Sequence, residues 1–213
     1  MSGRGAGGMR LGLLGGTFNP PHIAHLVCAQ EAHAQLGLDR VVLMPAGIPP
    51  HKALAAGDPS PEERYALCLA AIGDDERFAV SRAELDRPGR SWTVDTLRLL
   101  RDEHPQDELT FIVGGDMAAS LPSWREPEAV LELATLAVAE RLGAKRGQIE
   151  RELAPLAGSE RIRFFDMPRI DVSSSLVRER VAEGRPIRYL VPDAVAAAIG
   201  RDGLYRGARG EVT

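Results

Sequence analysis

From Arg10 onward, short apolar runs alternate with helical patterns, and few folds satisfy that alternation. The runs at 10–14, 40–44, 78–81, 109–113, 136–139 and 162–165 have the length and apolar content of buried strands. Between them, apolar residues recur at helical spacing over 22–36, 61–72, 94–103, 127–133 and 147–153. Ser60-Pro61-Glu62-Glu63 is a strong helix start, with Ser as cap, Pro in the first turn and Glu closing a capping box. Strands separated by helices join through crossovers, so the pattern predicts an α/β, Rossmann-like, doubly wound and mostly parallel sheet with helices on both faces. Such sheets bind ligands outside the carboxyl ends of their strands. Further helical patterns at 173–183 and 193–200 form a short helical C-terminal part, expected to pack beside the ligand-binding face.

The first strand runs into Gly15-Gly16-Thr17-Phe18-Asn19-Pro20-Pro21-His22-Ile23-Ala24-His25. The two glycines are expected to form a turn that lets the backbone approach a ligand. Pro20-Pro21 then punctuates the loop, and His22 and His25 open the next helix. Their spacing of three puts both imidazoles on one helical face. A helix N-terminus offers unpaired N–H groups and a positive dipole end, so phosphate is its natural guest. Either histidine alone would read as a surface residue, and Gly-Gly alone would be a weak sign. Together they predict a phosphate site with two extra donors.

Bulk properties narrow the setting. A chain of 213 residues can bury a sizeable core, and 9–205 is expected to form one domain between a disordered leader (1–8) and a tail (206–213). Residues 1–8 are glycine-rich with no apolar core, unlike a signal peptide. A net charge of −4 argues against non-specific nucleic-acid binding. No apolar run approaches the ~20 residues that span a membrane. Cys28 and Cys68 both lie in helical, apolar surroundings, which favours buried free thiols in a reducing cytoplasm over a disulfide. No Cys/His spacing suggests a metal site.

Five later segments carry candidate binding groups. Lys52 lies in the Gly/Pro/Ala-rich loop after the second strand and is either solvated or a flexible phosphate contact. Arg90-Ser91-Trp92-Thr93 opens a helix, with a Ser/Thr cap, a half-buried Trp, and N–H groups at Trp92 and Thr93 able to receive a carboxylate. Gly114-Gly115-Asp116 ends the fourth strand, and Trp124 sits in a proline-bearing loop as core plug or stacking platform. Ser173-Ser174-Ser175 is an N-cap cluster, and Arg178 falls one turn later on the Ser175 face, where hydroxyl, amide and guanidinium could clamp phosphate oxygens. Arg141 and Arg180 could add further phosphate contacts, but solvated surface is the simpler reading of each.

These motifs resemble the nucleotidylyltransferase superfamily with its His-x-Gly-His signature, and more narrowly the bacterial nicotinate-nucleotide adenylyltransferases, over about 9–205. Two positions depart from the pattern: Asn19 stands where Asp is frequent, and Ala24 where the signature has Gly. The resemblance implies adenylyl transfer from ATP to nicotinate mononucleotide, yielding deamido-NAD and pyrophosphate, with Mg²⁺ accompanying ATP and no metal site built from side chains. It implies catalytic roles for His22, His25 and Arg178. ATP contacts would come from Gly15, Gly16, Thr17, Phe18, Gly114, Asp116, Ser174 and Ser175, and acceptor contacts from Lys52, Trp92, Thr93 and Trp124. An adenylyl- or cytidylyltransferase with another acceptor is the nearest alternative. A class I aminoacyl-tRNA synthetase fits less well, because the chain is short and lacks a lysine-rich Lys-Met-Ser-Lys-Ser-type loop. A nucleotide sensor without turnover is the third. The sequence leaves the oligomeric state open.

Overall fold

Strands β1 (Arg10–Gly16), β2 (Arg40–Pro45), β3 (Phe78–Val80), β4 (Glu108–Gly114), β5 (Thr135–Glu140) and β6 (Ile162–Asp166) form one sheet in the order β3-β2-β1-β4-β5-β6. Every pairing is parallel. The computed structural model describes residues 8–50, 55, 57–140 and 146–206, so Lys52, Arg141 and nearly all of the expected leader and tail lie outside the described residues. The chain starts at the centre of the sheet, winds outward through β2 and β3, and returns to add β4 on the other side of β1. The winding direction therefore reverses between β1 and β4, and the loops leaving those strands diverge to open a crevice.

Period-2 alternation distributes the core. Leu13, Leu109, Phe111, Val113, Leu136 and Val138 face one side, against Leu97 of α3 (Thr93–Glu103), Ala118 of α4 (Gly115–Ala119), Leu131 of α5 (Pro127–Leu133) and Ile149 of α6 (Arg146–Leu153). Their neighbours Leu14, Val41, Leu43, Ile112 and Ala137 face the other side, against Cys28 and Ala29 of α1 (Ile23–Leu36) and Cys68 of α2 (Pro61–Ile72). Both cysteines are free, and burial pushes each thiol up to about 12, which leaves it inert. The C-terminal helices α7 (Ser174–Ala182) and α8 (Asp193–Asp202) form a separate cluster in which Val177, Val195 and Ile199 pack on Leu67 and Ala71 of α2. Among the described residues no helix is long and apolar enough to cross a membrane.

The expected cap of α2 is present: Ser60 Oγ accepts the Glu63 N–H at 3.2 Å, and Glu63 Oε2 accepts the Ser60 N–H at 2.7 Å. One local expectation needs correcting. Gly15 and Gly16 are not a turn but the last residues of β1, paired with Met44 and Pro45. Rings explain the glycines there, because a Cβ on Gly15 would sit 3.0 Å from Phe111 and one on Gly16 3.2 Å from Phe18. The short helix α4 escapes sequence reading because five residues carry too little periodicity to register.

Candidate active site

His22 is the N-cap residue of α1, with extended backbone (φ −140°, ψ 172°), and His25 is the third residue of the helix. Nδ1 of His25 accepts the main-chain N–H of His22 at 3.1 Å, so an imidazole takes the place that Glu or Gln holds in a capping box. The two rings stack with centroids 3.7 Å apart, and the Phe18 edge abuts His25 at 4.9 Å. Burial pushes the His22 pKa down to about 4. Burial, with His22 beside it, holds His25 well below its ordinary 6.5. Both imidazoles are therefore neutral near pH 7. Because Nδ1 of His25 is an acceptor, its single proton resides on Nε2, which is left as a donor. The first turn of α1 carries no acidic side chain, so its positive end is open to an anion.

Both histidines line a cleft of about 1020 Å³ at the carboxyl ends of β1 and β4. That volume reaches the upper end of ordinary ligand pockets, enough for a nucleotide and a second substrate. Gly15, Gly16, Thr17, Gly114 and Asp116 line it on the β1–β4 side, and Trp92, Thr93 and Trp124 line it further along. Asp116 lies exposed in the first turn of α4, directly after β4. Phe18 differs: its side chain is 1% exposed and in the core, so its contribution to a ligand is limited to its main chain.

The serine cluster divides its work. Ser173 is the cap of α7, its Oγ accepting the Leu176 N–H at 3.1 Å. Ser174 instead donates its hydroxyl to the Pro20 carbonyl at 2.8 Å, which commits its proton to the loop. Arg178 donates Nη1 to the Asn19 carbonyl at 2.8 Å and Nη2 to Ser175 Oγ at 3.2 Å. These side chains fasten α7 to the loop ahead of His22, and Ser174, Ser175 and Arg178 are not among the residues lining the cleft. Sequence spacing alone did not reveal this bracing.

At the other end, Ser91 is not the cap expected of it. Trp92 occupies the N-cap position of α3 without a side-chain cap bond, and Ser91 Oγ accepts the Gly47 N–H at 3.0 Å. The Trp92 N–H donates to the Arg90 carbonyl at 2.9 Å. Of the two amides expected for a carboxylate, the Thr93 amide is the one in the first helical turn, where no intrahelical acceptor exists. Trp124 rests edge-on against Phe111 at 6.0 Å and donates Nε1 to Ser120 Oγ at 3.0 Å, so its ring is held rigidly. Arg125 lies over the Trp92 ring at 5.9 Å.

Sequence reading missed three site-shaping residues. Glu84 lines the cleft yet is 8% exposed, its carboxyl accepting from Thr96 Oγ1 at 2.8 Å; burial raises its pKa. Gly47 must be glycine, since a Cβ there would sit 2.4 Å from the Glu84 carbonyl oxygen. Arg64 is fully buried. Its signal was available, because it interrupts the apolar stripe of Leu67, Cys68 and Ala71 on α2.

Comparison with known proteins agrees with this fold. The cytidylyltransferase-like family model matches residues 13–180. A protein of Thermus thermophilus named probable nicotinate-nucleotide adenylyltransferase is 44% identical over 198 residues, covering 93% of this chain and 100% of that protein. One of the same name from Rubrobacter xylanophilus is 39% identical over 208 residues, 96% of this chain and 97% of that one. The solved structure of Plasmodium falciparum nicotinic acid mononucleotide adenylyltransferase complexed with NaAD shares the fold, with a TM-score of 0.75 at 18% identity over 92% of this chain and 97% of that one. A six-stranded parallel sheet, a histidine pair at the switch point and near-complete matches to bacterial relatives together make this chain a member of the cytidylyltransferase-like family, within its nicotinate-nucleotide adenylyltransferases.

Proposed function

We propose that the protein transfers the adenylyl group of ATP to nicotinate mononucleotide, giving deamido-NAD and pyrophosphate. The observation that carries this reading is the neutral histidine pair at the open N-terminus of α1, in a cleft large enough for both substrates. A phosphate oxygen of the mononucleotide attacks the α-phosphorus of ATP in line; the bond to the β-phosphate oxygen breaks, and pyrophosphate leaves with that electron pair. No covalent enzyme intermediate is needed, so the protein supplies positioning and stabilisation of developing charge.

His25 Nε2–H and the α1 amides meet the phosphates, with His22 beside them. Arg178 and Ser175, held against the Asn19–Pro20 loop just outside the cleft lining, would meet the triphosphate where it extends past the N-terminus of α1, Arg178 through the N–H groups that Asn19 and Ser175 leave over. Lys52 contributes a positive charge. Asp116 accepts from the adenosine ribose hydroxyls. The Thr93 amide receives the pyridine carboxylate, and the Trp124 ring stacks on the pyridine. Mg²⁺ would enter as part of the ATP substrate, held by phosphate oxygens and water. Free cysteines and mildly acidic charge support a cytoplasmic setting.

A coupled pyrophosphate-release assay with ATP and a panel of phosphorylated acceptors tests this reading. Release with nicotinate mononucleotide, matched mole for mole by deamido-NAD, is the expected result. Release with a different acceptor in the panel, or with none, overturns it.

A further inference from the structure

We infer that Arg64 is a positioning residue for adenylyl transfer, tying the phosphate loop to the acceptor loop through one buried guanidinium. The inference rests on the proposed reaction and adds a residue that lines no part of the cleft.

Arg64 lies on α2 with 0% exposure. Its hydrogen bonds among the described residues go to main-chain carbonyls and not to carboxylates. Nη1 donates to Thr17 O at 2.8 Å, and Nη2 donates to Gly47 O at 3.0 Å. These carbonyls belong to separate loops, one after β1 and one after β2. A buried guanidinium is costly to desolvate, so α2 does not carry it for stability alone. A planar fork with two diverging donors, however, can set the spacing of two backbone segments as a single ammonium cannot.

The consequence for each loop follows from peptide geometry. In a trans peptide the C=O and the following N–H point in opposite directions. With the Thr17 carbonyl turned to Arg64, the Phe18 N–H is aimed away from that guanidinium, and Thr17 itself lines the cleft. Gly47 is gripped from both sides, its carbonyl by Arg64 and its N–H by Ser91 Oγ. The Ser91 N–H in turn donates to Ile48 O at 2.9 Å, and the next residues are Trp92 and Thr93. One run of hydrogen bonds therefore links Thr17, Arg64, Gly47 and Ser91. It sets the distance between an ATP-side amide and the acceptor-side helix start, on which in-line attack depends.

The test uses the full chain with Arg64→Met, Arg64→Lys, Ser91→Ala and the Arg64→Lys/Ser91→Ala double variant. Folding is followed by circular dichroism and melting, and kcat and each KM are measured well below Tm. Arg64→Met is expected to lower kcat about 10- to 100-fold while the enzyme stays folded, as misplacement of reacting groups does. Arg64→Lys should recover only part of that loss, because it restores charge without the fork. The double variant should fall short of the product of the two single effects, because both residues act on Gly47. If Arg64→Met does not fold, Arg64→Lys and the double variant decide by the same measures. A folded Arg64→Lys with kcat within twofold of the parent, or single effects that simply multiply, overturns the inference and leaves Arg64 as packing. A parent enzyme that makes no deamido-NAD would instead refute the reaction itself, so the two failures are told apart.

Discussion

The main-chain N–H of His22 donates to Nδ1 of His25 across 3.1 Å, and this bond selects the tautomer that can serve a phosphate. An imidazole turned the other way would present a lone pair to the ligand and repel it. The capping interaction thus fixes the imidazole proton that the proposed chemistry uses.

His25→Ala should lower kcat by about 100- to 1000-fold, the usual cost of removing one donor aimed at developing charge. Its effect on the KM for ATP should be much smaller. His22→Ala should do less harm, because the main-chain amide of residue 22, which donates to Nδ1 of His25, remains. Steady-state turnover of the purified variants checks this; His25→Ala within a few-fold of the parent would sink the assignment.

The same pair makes the fold acid-sensitive. His22 titrates at about 4 when folded and at 6.5 when free. Above pH 6.5 neither state holds the proton, so stability is unaffected there. As pH falls from 6.5 towards 4, the unfolded chain gains a proton that the folded chain refuses, and stability drops. His25 is shifted in the same direction and adds to the loss. Melting curves between about pH 7.5 and about pH 4.5 should show a shallower decline for His22→Gln than for the parent, with the window set by the shift itself. Parallel declines would mean that other groups govern the acid limb.

Arg178→Ala should raise the ATP concentration needed for half-maximal rate. The change removes the proposed phosphate donor and also frees the Asn19 carbonyl that Nη1 now holds. Arg178→Lys should rescue only in part, since one ammonium replaces a planar fork. An unchanged ATP dependence in both variants would leave Arg178 as a brace between α7 and the loop.

Nicotinate mononucleotide should be preferred over nicotinamide mononucleotide by tenfold or more in kcat/KM. The Thr93 amide at the positive end of α3 is a donor, which favours a carboxylate and sets the NH₂ of an amide against another donor. A hydrogen bond to a charged group is worth roughly 1.5–3 kcal/mol, enough for that ratio. Trp124→Ala should weaken both acceptors through lost stacking and leave their ratio nearly intact. Equal use of the two acceptors by the parent would refute the carboxylate site while leaving adenylyl transfer in place.

What the sequence by itself determined is whatever depends on neighbours along the chain. Apolar runs set between helical patterns sufficed for the parallel sheet, because side-chain periodicity and crossover handedness are local constraints. The histidine spacing likewise placed the two imidazoles together, although His22 caps the helix from extended backbone and does not lie in it, and Ser60 to Glu63 gave the cap of α2. Tertiary structure alone decided which polar group meets which. That Ser174 and Arg178 are also fastened to the Pro20 and Asn19 carbonyls, 154 and 159 residues away along the chain, shows only in the packed fold, because nothing local reveals it. Ser91 read as a cap because its real partner, Gly47, lies on another loop. Gly15 and Gly16 read as a turn until the Phe111 and Phe18 rings lay against them. Arg64 showed in the sequence only as a charge misplaced in an apolar stripe; its meaning came from two carbonyls that the sheet brings within reach of one guanidinium. Hydrogen bonds are short and directional, so their pairing is settled only when distant segments have been packed together.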